Sequence, residues 1–262
     1  MNANEYHVIH AVQCLRAGRH VFIEKSMAWN LAGADEVIAA ERASGKTVFV
    51  GYMRRYATAF LRVMEMVQAL PPKGIAFGEL RRDGAGTLRV RDMIGSNALF
   101  TDQGGWFPER FTDFPVDANA ERQRLSMQQY KEALGAKADE PGSQRTWILL
   151  NLLASHDLSA MRELLGMPEK VLHAWKSPSW PFMTVTFQYE GFVAHYEVGI
   201  DNVRVFDAHI EVYARDKRIK LTYDTPYIKG LPVTATILSS RENGDHSEEI
   251  IRPTYEDAYT LE

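Results

Sequence analysis

Two side chains of this sequence have the chemistry to move a proton on a bound substrate, Lys25 and His156. Lys25 follows the apolar run His20–Ile23 and Glu24, which is typical of a buried parallel strand. The carboxyl ends of such strands are where ligands bind in α/β proteins. An ammonium there can hydrogen-bond a substrate hydroxyl, and an imidazole can take the proton of a carbinol near neutral pH. The alternatives are a surface lysine and a histidine that only packs within a helix.

A second group of side chains could grip a substrate. Arg54, Arg55 and Tyr56 come directly after a second apolar strand, Thr47–Val50. Guanidinium groups make bidentate contacts with oxygen acceptors, so these residues are predicted to bind substrate. A salt-bridged surface between two domains explains them equally well. Trp106 belongs to an aromatic stretch that could cover a ring-bearing substrate, or else pack as core or as a subunit contact.

These side chains need a scaffold in which helices and strands alternate. The first elements predicted are a helix over Glu5–Ala17, a strand over His20–Glu24, a helix over 30–44, a strand over Thr47–Gly51 and a helix over Ala57–Ala69. Strand, helix and strand in this order form the crossover unit of a parallel sheet. The pattern therefore predicts a Rossmann-like beginning.

The pattern changes further along the chain. A strand is predicted over Gly78–Gly86, irregular structure over 87–144 with one short helix near 120–134, and a helix over Trp147–Leu165. Seven strands with short turns follow, at 171–176, 182–189, 192–199, 207–215, 217–223, 233–240 and 247–251. The predicted fold is therefore α/β and α+β. A partial Rossmann-like parallel unit occupies a domain of residues 1–72, and a mostly antiparallel open sheet with helices on one face occupies residues 73–262.

Three motifs occur in a specific order along the sequence. The first is GRHVFIEKS at Gly18–Ser26, the second VGYMRRY at Val50–Tyr56, and the third SHDL at Ser155–Leu158 ahead of Arg162–Gly166. The loop Asn2–His7 before the first motif also fits. In this order the motifs resemble the glucose–fructose oxidoreductase, inositol dehydrogenase and MocA family of nicotinamide-dependent oxidoreductases.

The resemblance implies a cofactor, a substrate class and a set of roles. The cofactor would be NAD or NADP, and the substrate a secondary alcohol or ketone of a sugar, polyol or similar metabolite. Lys25 and His156 would handle the proton, with His156 as the general base. Asn4, His7 and Glu24 would bind the cofactor on its nicotinamide side. Relatives commonly pair through their open sheets, so a homo-oligomer is expected.

Several features of the family's pattern are missing. No early glycines form the G-x-G-x-x-G turn that lets a backbone approach a pyrophosphate, so dinucleotide binding is expected to lack its main anchor. We expect a fragment of a longer protein, or a product of decay or repurposing. Ser26 replaces the family's proline, often preceded by a cis bond, which predicts a shifted Lys25. Leu152 stands where many members carry an aspartate that orients the histidine, with Asn151 one residue away. Met53 replaces a polar residue.

Composition excludes several other classes of protein. A net charge of −4 with 24% charged residues spread along the chain gives no electrostatic support for nucleic-acid or membrane partners. The single cysteine, Cys14, forbids an internal disulfide, which fits a cytoplasmic protein, and it is predicted to lie in the core. No His, Cys and carboxylate spacing indicates a metal site.

Three functional hypotheses follow. The leading one is an NAD(P)-dependent oxidoreductase. The second is a cofactor-free cyclase, lyase or isomerase on the same scaffold, which the missing glycine-rich turn, Ser26 and Leu152 favour. The third is a non-catalytic assembly partner, which a large exposed apolar sheet face would support.

Overall fold

The computed structural model describes the residues 3–70, 117–179, 181–201, 206–225, 230–253 and 258–262, and the backbone alone of 86–95. Within these ranges the helices are α1 His7–Arg16, α2 Leu31–Ser44, α3 Thr58–Gln68, α4 Ala118–Leu134, α5 Ser143–Leu149, α6 Ser155–Leu165 and α7 Ala258–Leu261. Short 3-10 turns cover Asn4–Tyr6, Met53–Tyr56 and Gly135–Asp139, and a π-helical turn covers Leu150–Ala154. The strands are β1 Val21–Glu24, β2 Val48–Gly51, β3 Gly86–Gly95, β4 Lys170–Lys176, β5 Phe182–Tyr189, β6 Phe192–Asp201, β7 Phe206–Tyr213, β8 Lys217–Tyr223, β9 Thr234–Ser240 and β10 His246–Ile251.

By its internal contacts the chain forms two compact units. One unit comprises Met1–Tyr52 with Leu99–Ser155, and the other comprises Met53–Ala98 with His156–Glu262. Neither limit coincides with residue 72. The division at 72 stays a prediction, since residues 71–85 lie outside the described ranges.

The first unit contains the predicted crossover. β1 and β2 pair in parallel, with Glu24 opposite Gly51, and α2 connects them. The helix α2 begins where Asn30 Oδ1 accepts a hydrogen bond from the Gly33 amide, and it ends at Gly45, whose φ of +63° suits glycine. The core between these helices and strands is apolar and includes Ala11, Val12, Ile23 and Val37.

Cys14 was expected in this core, and that prediction is wrong, because the side chain is exposed. The helix α1 buries Ala11, Val12 and Leu15. A helix turns 100° per residue, so a face centred on these three positions leaves Cys14 at its border. The thiol therefore has no part in the packing of the first unit.

The second unit is built on one large sheet. The strand order is β10-β9-β8-β7-β3-β6-β5-β4, and every neighbouring pair is antiparallel except β3 and β6. Alternation along the strands gives one buried apolar face, with Val185, Tyr196, Ile210, Leu221 and Ala235 on β5, β6, β7, β8 and β9. The helix α3 contacts β8 and β9. The predicted fold class, a parallel unit followed by a mostly antiparallel open sheet, is confirmed.

Two sequence predictions about the middle of the chain are wrong. Irregular structure was expected from residue 87, yet Gly86–Gly95 is a strand inside the large sheet. Its partners, β6 and β7, come more than a hundred residues later in the sequence, so local pattern could not reveal the pairing. The single helix expected over Trp147–Leu165 is instead three segments, α5, the π-helical turn and α6. The predicted strand Gly78–Gly86 lies outside the described residues except for its last position.

Candidate active site

Lys25 lies immediately after β1, at the strand end where ligands bind in α/β proteins. Its ammonium donates a hydrogen bond to the Leu152 carbonyl oxygen at 2.6 Å. Both residues belong to the first unit. An ammonium carries three N–H donors, so a carbonyl can orient the group while leaving it able to make further contacts. The peptide bond between Lys25 and Ser26 is cis.

Ser26 is buried, with 3% of its surface exposed, and it is held from two sides. Its hydroxyl donates to the Asn151 carbonyl at 2.6 Å. Its own carbonyl oxygen lies 2.8 Å from Nδ1 of the buried His7. A carbonyl oxygen can only accept, so Nδ1 of His7 carries the hydrogen in this contact. His7, expected to bind cofactor, thus serves here as an anchor for the backbone after Lys25.

The acceptors for Lys25 and Ser26 are consecutive carbonyls in the π-helical turn Leu150–Ala154. The Ser155 amide bonds the Leu150 carbonyl, five residues back, instead of the Asn151 carbonyl expected in an α-helix. The Asn151 carbonyl accepts instead from two hydroxyls, those of Ser26 and Ser155, the latter at 2.7 Å. The sequence pattern does not predict this arrangement, and the one signal for it is a hydroxyl residue directly after Lys25.

His156 lies at the start of α6, directly after the π-helical turn, and is half-buried. Its carbonyl accepts a hydrogen bond from the Ser159 hydroxyl at 2.9 Å. The Leu152 side chain is 38% exposed, and the Asn151 amide group donates to the Trp147 carbonyl at 3.0 Å within its own helix. Leu152 has no polar side-chain atom, and the Asn151 amide group is directed to Trp147. These contacts differ from that of the aspartate expected to orient the His156 imidazole.

Arg54 is 3% exposed, and its guanidinium forms an ion pair with Asp157, which is 1% exposed. The guanidinium also lies over two aromatic rings, 4.9 Å from the centroid of Tyr223 and 5.6 Å from that of Phe206. Buried charges require this kind of pairing. These contacts favour the structural alternative for Arg54, and its role in substrate binding stays a prediction.

Arg55 and Tyr56 are more open than Arg54. Arg55 pairs with Glu163, and both side chains are about a third exposed. Burial raises the pKa of the Tyr56 phenol, the Arg55 charge opposes that shift, and the charges of Glu262 and Glu163 add to it. Tyr56 therefore keeps its proton at neutral pH and can donate a hydrogen bond.

The remaining predicted site residues are spread over the described chain. Asn4 lies in the 3-10 turn before α1, and Glu24 ends β1 opposite Gly51, both half-buried. Trp106 lies outside the described residues. Within the described ranges, no three His, Cys, Asp or Glu side chains come together as a set of metal ligands. In the same ranges no helix combines the length and apolar character needed to cross a membrane.

A nicotinamide cofactor is implied by the family resemblance, and the first helix after β1 does not fit its pyrophosphate. Pyrophosphate binds to open amides at a helix N-terminus after a strand. The helix that follows β1 is α2, and its Gly33 amide already donates to Asn30 Oδ1 at 2.7 Å. A Cβ on Gly33 would lie 2.9 Å from that oxygen and 3.0 Å from Val8, so protein atoms fill this turn. The N-terminus of α2 therefore does not form a pyrophosphate cradle.

Known proteins resemble the first segment of this chain in sequence. Residues 2–52 match the oxidoreductase family with an NAD-binding Rossmann fold, the GFO_IDH_MocA family. Inositol 2-dehydrogenase from Salmonella typhimurium is 37% identical over 68 residues, which are 26% of this chain and 20% of that protein. The predicted resemblance to the glucose–fructose oxidoreductase, inositol dehydrogenase and MocA family is thereby confirmed. In sequence, the resemblance lies in the first segment of the chain.

Solved structures share the fold over nearly the whole chain. UDP-N-acetylglucosamine 3-dehydrogenase from Acidithiobacillus ferrooxidans superposes with a TM-score of 0.61 at 15% identity, covering 98% of this chain and 64% of that one. An inositol dehydrogenase homologue from Azotobacter vinelandii, in complex with NADH and myo-inositol, gives 0.60 at 13% identity, covering 96% and 54%. The matched parts therefore span less than two thirds of each of these relatives.

Proposed function

We propose that this chain acts in NAD(P)-dependent hydride transfer on a secondary alcohol or ketone of a sugar, polyol or similar metabolite. The observation that supports this most is Lys25, whose ammonium is fixed by the Leu152 carbonyl at the end of β1, inside the segment that matches the oxidoreductase family. The names of the relatives, inositol and sugar-nucleotide dehydrogenases, favour a polyhydroxy substrate. In such enzymes the cofactor carries the redox chemistry and the protein orients the reacting groups.

The chain's own residues would handle the substrate and its proton. Lys25 donates a hydrogen bond to the substrate oxygen, and His156 takes the proton of the carbinol. Arg55 and the protonated Tyr56 position further hydroxyls of the substrate, and Arg54 contributes by holding Asp157. Asn4 and Glu24 keep the cofactor-binding roles that the resemblance implies, and Trp106 keeps the substrate-binding role predicted from its aromatic stretch.

A turnover assay tests this proposal. The chain is mixed with NAD⁺ or NADP⁺ and a panel of polyols and sugars, and the reduced nicotinamide is followed by its fluorescence. We expect Lys25→Met and His156→Gln each to lower kcat/KM by about 10²–10⁴-fold, the usual contribution of a positioned acid or base. Lys131→Met, at an exposed lysine on α4, is the matched control and leaves kcat/KM unchanged. Turnover that survives both site variants would contradict the assignment.

A cofactor-free enzyme is the second candidate, and one observation favours it. The Gly33 amide is already satisfied by Asn30, so the N-terminus of α2 offers no pyrophosphate cradle. A cyclase, lyase or isomerase would use Lys25 and His156 as acid and base without a nucleotide. Incubation of the same panel without nucleotide, followed by proton NMR, distinguishes the two candidates, since only the second consumes substrate.

A homo-oligomer through the open sheet is also proposed, and the character of that sheet bears on the assembly-partner hypothesis. Among the described strands its outer face carries Thr186, His195, Glu211 and Lys220, with Glu211 directly opposite Lys220. These four residues are polar, whereas the edge strand β4 exposes the apolar side chains Val171, Leu172 and Trp175, so exposed apolar surface of the described sheet lies at its β4 edge. Sedimentation of the wild type and of Lys220→Glu tests pairing, because like charges opposite each other destabilise a sheet surface and its contacts.

A further inference from the structure

We infer that Ser26 is the positioning residue for Lys25. The β1 clamp consists of Lys25 and Ser26, which attach the end of β1 to the Asn151 and Leu152 carbonyls of the π-helical turn. The inference rests on the role proposed for Lys25 and adds the cause of its position. It assigns a specific task to a hydroxyl that neither the motif nor the comparisons assign.

The geometry of the clamp is that of a two-point attachment. Ser26 Oγ lies 2.6 Å from the Asn151 oxygen, and Lys25 Nζ lies 2.6 Å from the Leu152 oxygen. The two donors are consecutive residues, and so are the two acceptors, Asn151 and Leu152. More than 120 residues of sequence separate the donors from the acceptors. One contact alone would let the loop pivot, whereas two fix its position and its direction along the helix.

Ser26 is the stiffer half of the clamp. Its hydroxyl is one bond from Cβ, and the residue is buried, so the donor has few alternative positions. Lys25 has a long, flexible stem that loses considerable rotamer freedom when its ammonium is fixed. The hydrogen bond from His7 to the Ser26 carbonyl holds the same residue through its backbone. Ser26 therefore limits where the Lys25 stem begins, and the Leu152 carbonyl limits where it ends.

The π-helical turn supplies the acceptor that Ser26 needs. Because the Ser155 amide bonds Leu150, the Asn151 carbonyl is not occupied by the amide that an α-helix would place there. π-Helical turns are rare and frequently occur at functional sites. The position of Lys25 therefore depends on both the π-helical turn, which provides the acceptor, and Ser26, which provides the donor.

Competitive amine acylation tests the clamp without cofactor or turnover. The folded chain is labelled briefly with an N-hydroxysuccinimide ester, and peptide mass spectrometry gives the rate at Lys25 relative to Lys131. The Lys25 amine is expected to react faster once it has left the Leu152 carbonyl, because that contact holds the amine in one orientation. Loss of one net hydrogen bond changes such an equilibrium about fivefold, so Ser26→Ala is expected to raise the relative rate about fivefold.

Matched variants make the test specific. Ser44→Ala also removes one hydroxyl-to-carbonyl hydrogen bond, from Ser44 to Glu41, and should leave the Lys25 rate unchanged. Ser26→Thr keeps the hydroxyl and should restore the wild-type rate. If Ser26→Ala does not fold, Ser26→Cys replaces it, because a thiol of similar size is a weaker donor and should give an intermediate rate.

A wild-type rate at Lys25 in folded Ser26→Ala, or in Ser26→Cys where that variant is used, would overturn the inference. An equal increase in Ser44→Ala would overturn it as well. The clamp can stand while the proposed function fails, since the labelling needs no substrate. Conversely, the chain could show turnover while the acylation rate at Lys25 does not depend on residue 26. That result would support the proposed function and overturn the clamp.

Discussion

Arg54 and Arg55 are adjacent in sequence and have opposite surroundings. Arg54 is buried against Asp157 and two aromatic rings, while Arg55 and its partner Glu163 are about a third exposed. Breaking a buried ion pair leaves an unpaired charge away from water, whereas an exposed pair is screened and contributes little. Substitution of each arginine therefore compares how much a buried and an exposed ion pair contribute to the free energy of unfolding.

We expect Arg54→Ala to lower the free energy of unfolding by about 3–5 kcal/mol. The Asp157 carboxylate would remain buried without its partner, and Tyr223 and Phe206 would lose the guanidinium that lies over them. Arg55→Ala, the matched control, should cost about 0–1 kcal/mol. Urea unfolding followed by circular dichroism measures both.

A double variant separates the charge from the packing. Arg54→Met with Asp157→Leu removes both charges and keeps apolar volume, so it should recover most of the stability lost in Arg54→Ala. Equal and small losses in the two single arginine variants would contradict the buried pair.

Tyr189 gives a prediction about pH. Its ring is 6% exposed and stacks on Phe192 at 4.9 Å, and burial raises the pKa of its phenol above the ordinary value of 10.0. The folded state therefore holds the proton more tightly than the unfolded state. This contribution to stability is complete below the unfolded pKa and is lost as pH rises through the folded pKa.

Tyr189→Phe has no proton to lose, so its stability should fall less than that of the wild type between pH 9 and about pH 11. Urea midpoints across that range measure the difference. Tyr259→Phe, at a ring that is 46% exposed, is the control. Parallel curves for the wild type and Tyr189→Phe would contradict the effect of burial at this position.

Single residues also show where sequence reasoning succeeds and where it stops. Lys25 was placed at the end of a strand because the preceding apolar run is a local signal, and the structure has it there. Ser26 was treated only as a missing proline, because its acceptor lies 125 residues away and no local pattern identifies it. Arg54 could not be told from Arg55 for the same reason, since burial depends on Asp157, Phe206 and Tyr223.

At the scale of elements, the regular helices and strands could be predicted from the spacing of apolar residues. Interruptions of that spacing could not be predicted. The helix α2 has an N-cap asparagine and a terminal glycine, and the structure has it within one residue of the predicted range. The π-helical turn changes the helical register within five residues, which apolar spacing over Trp147–Leu165 does not record. β3 was missed because its pairing partners come late in the chain.

Packing between α1 and α2 gives a further prediction. In a helix, alanine is favoured over glycine by about 1 kcal/mol. At Gly33, however, a Cβ would lie 2.9 Å from Asn30 Oδ1 and 3.0 Å from Val8 Cγ2, and the Asn30 oxygen is also the cap of the helix. Overpacking and loss of a cap each cost about 1–3 kcal/mol and outweigh the gain.

We therefore expect Gly33→Ala to lower Tm by about 3 °C. Differential scanning calorimetry measures the change, and Glu36→Ala, at an exposed position of the same helix, should stay near the wild type. A higher Tm in Gly33→Ala would show that helix propensity dominates and that α1 and α2 are less closely packed than described.

For the whole molecule, two different kinds of signal agree. The order of the motifs along the sequence predicted an oxidoreductase family, and two solved proteins, a sugar-nucleotide dehydrogenase and an inositol dehydrogenase homologue, share the fold over 96–98% of this chain at 13–15% identity. The division into two compact units was not predictable, because each unit combines segments that are distant in sequence. This chain covers less than two thirds of these relatives. Whether it binds a nicotinamide cofactor therefore decides between the proposed functions.

Equilibrium titration of the chain with NADH and NADPH, followed by nicotinamide fluorescence, is the most direct measurement of that property. Since the family resemblance implies that Asn4, His7 and Glu24 lie on the nicotinamide side, and the N-terminus of α2 forms no pyrophosphate cradle, we expect saturable binding with a Kd between about 1 μM and 1 mM, or about −8 to −4 kcal/mol. Lys131→Met should bind as the wild type does, and Lys25→Met should bind more weakly. Absence of saturation with both nucleotides at several times the upper limit would contradict the proposed hydride transfer and favour the cofactor-free enzyme.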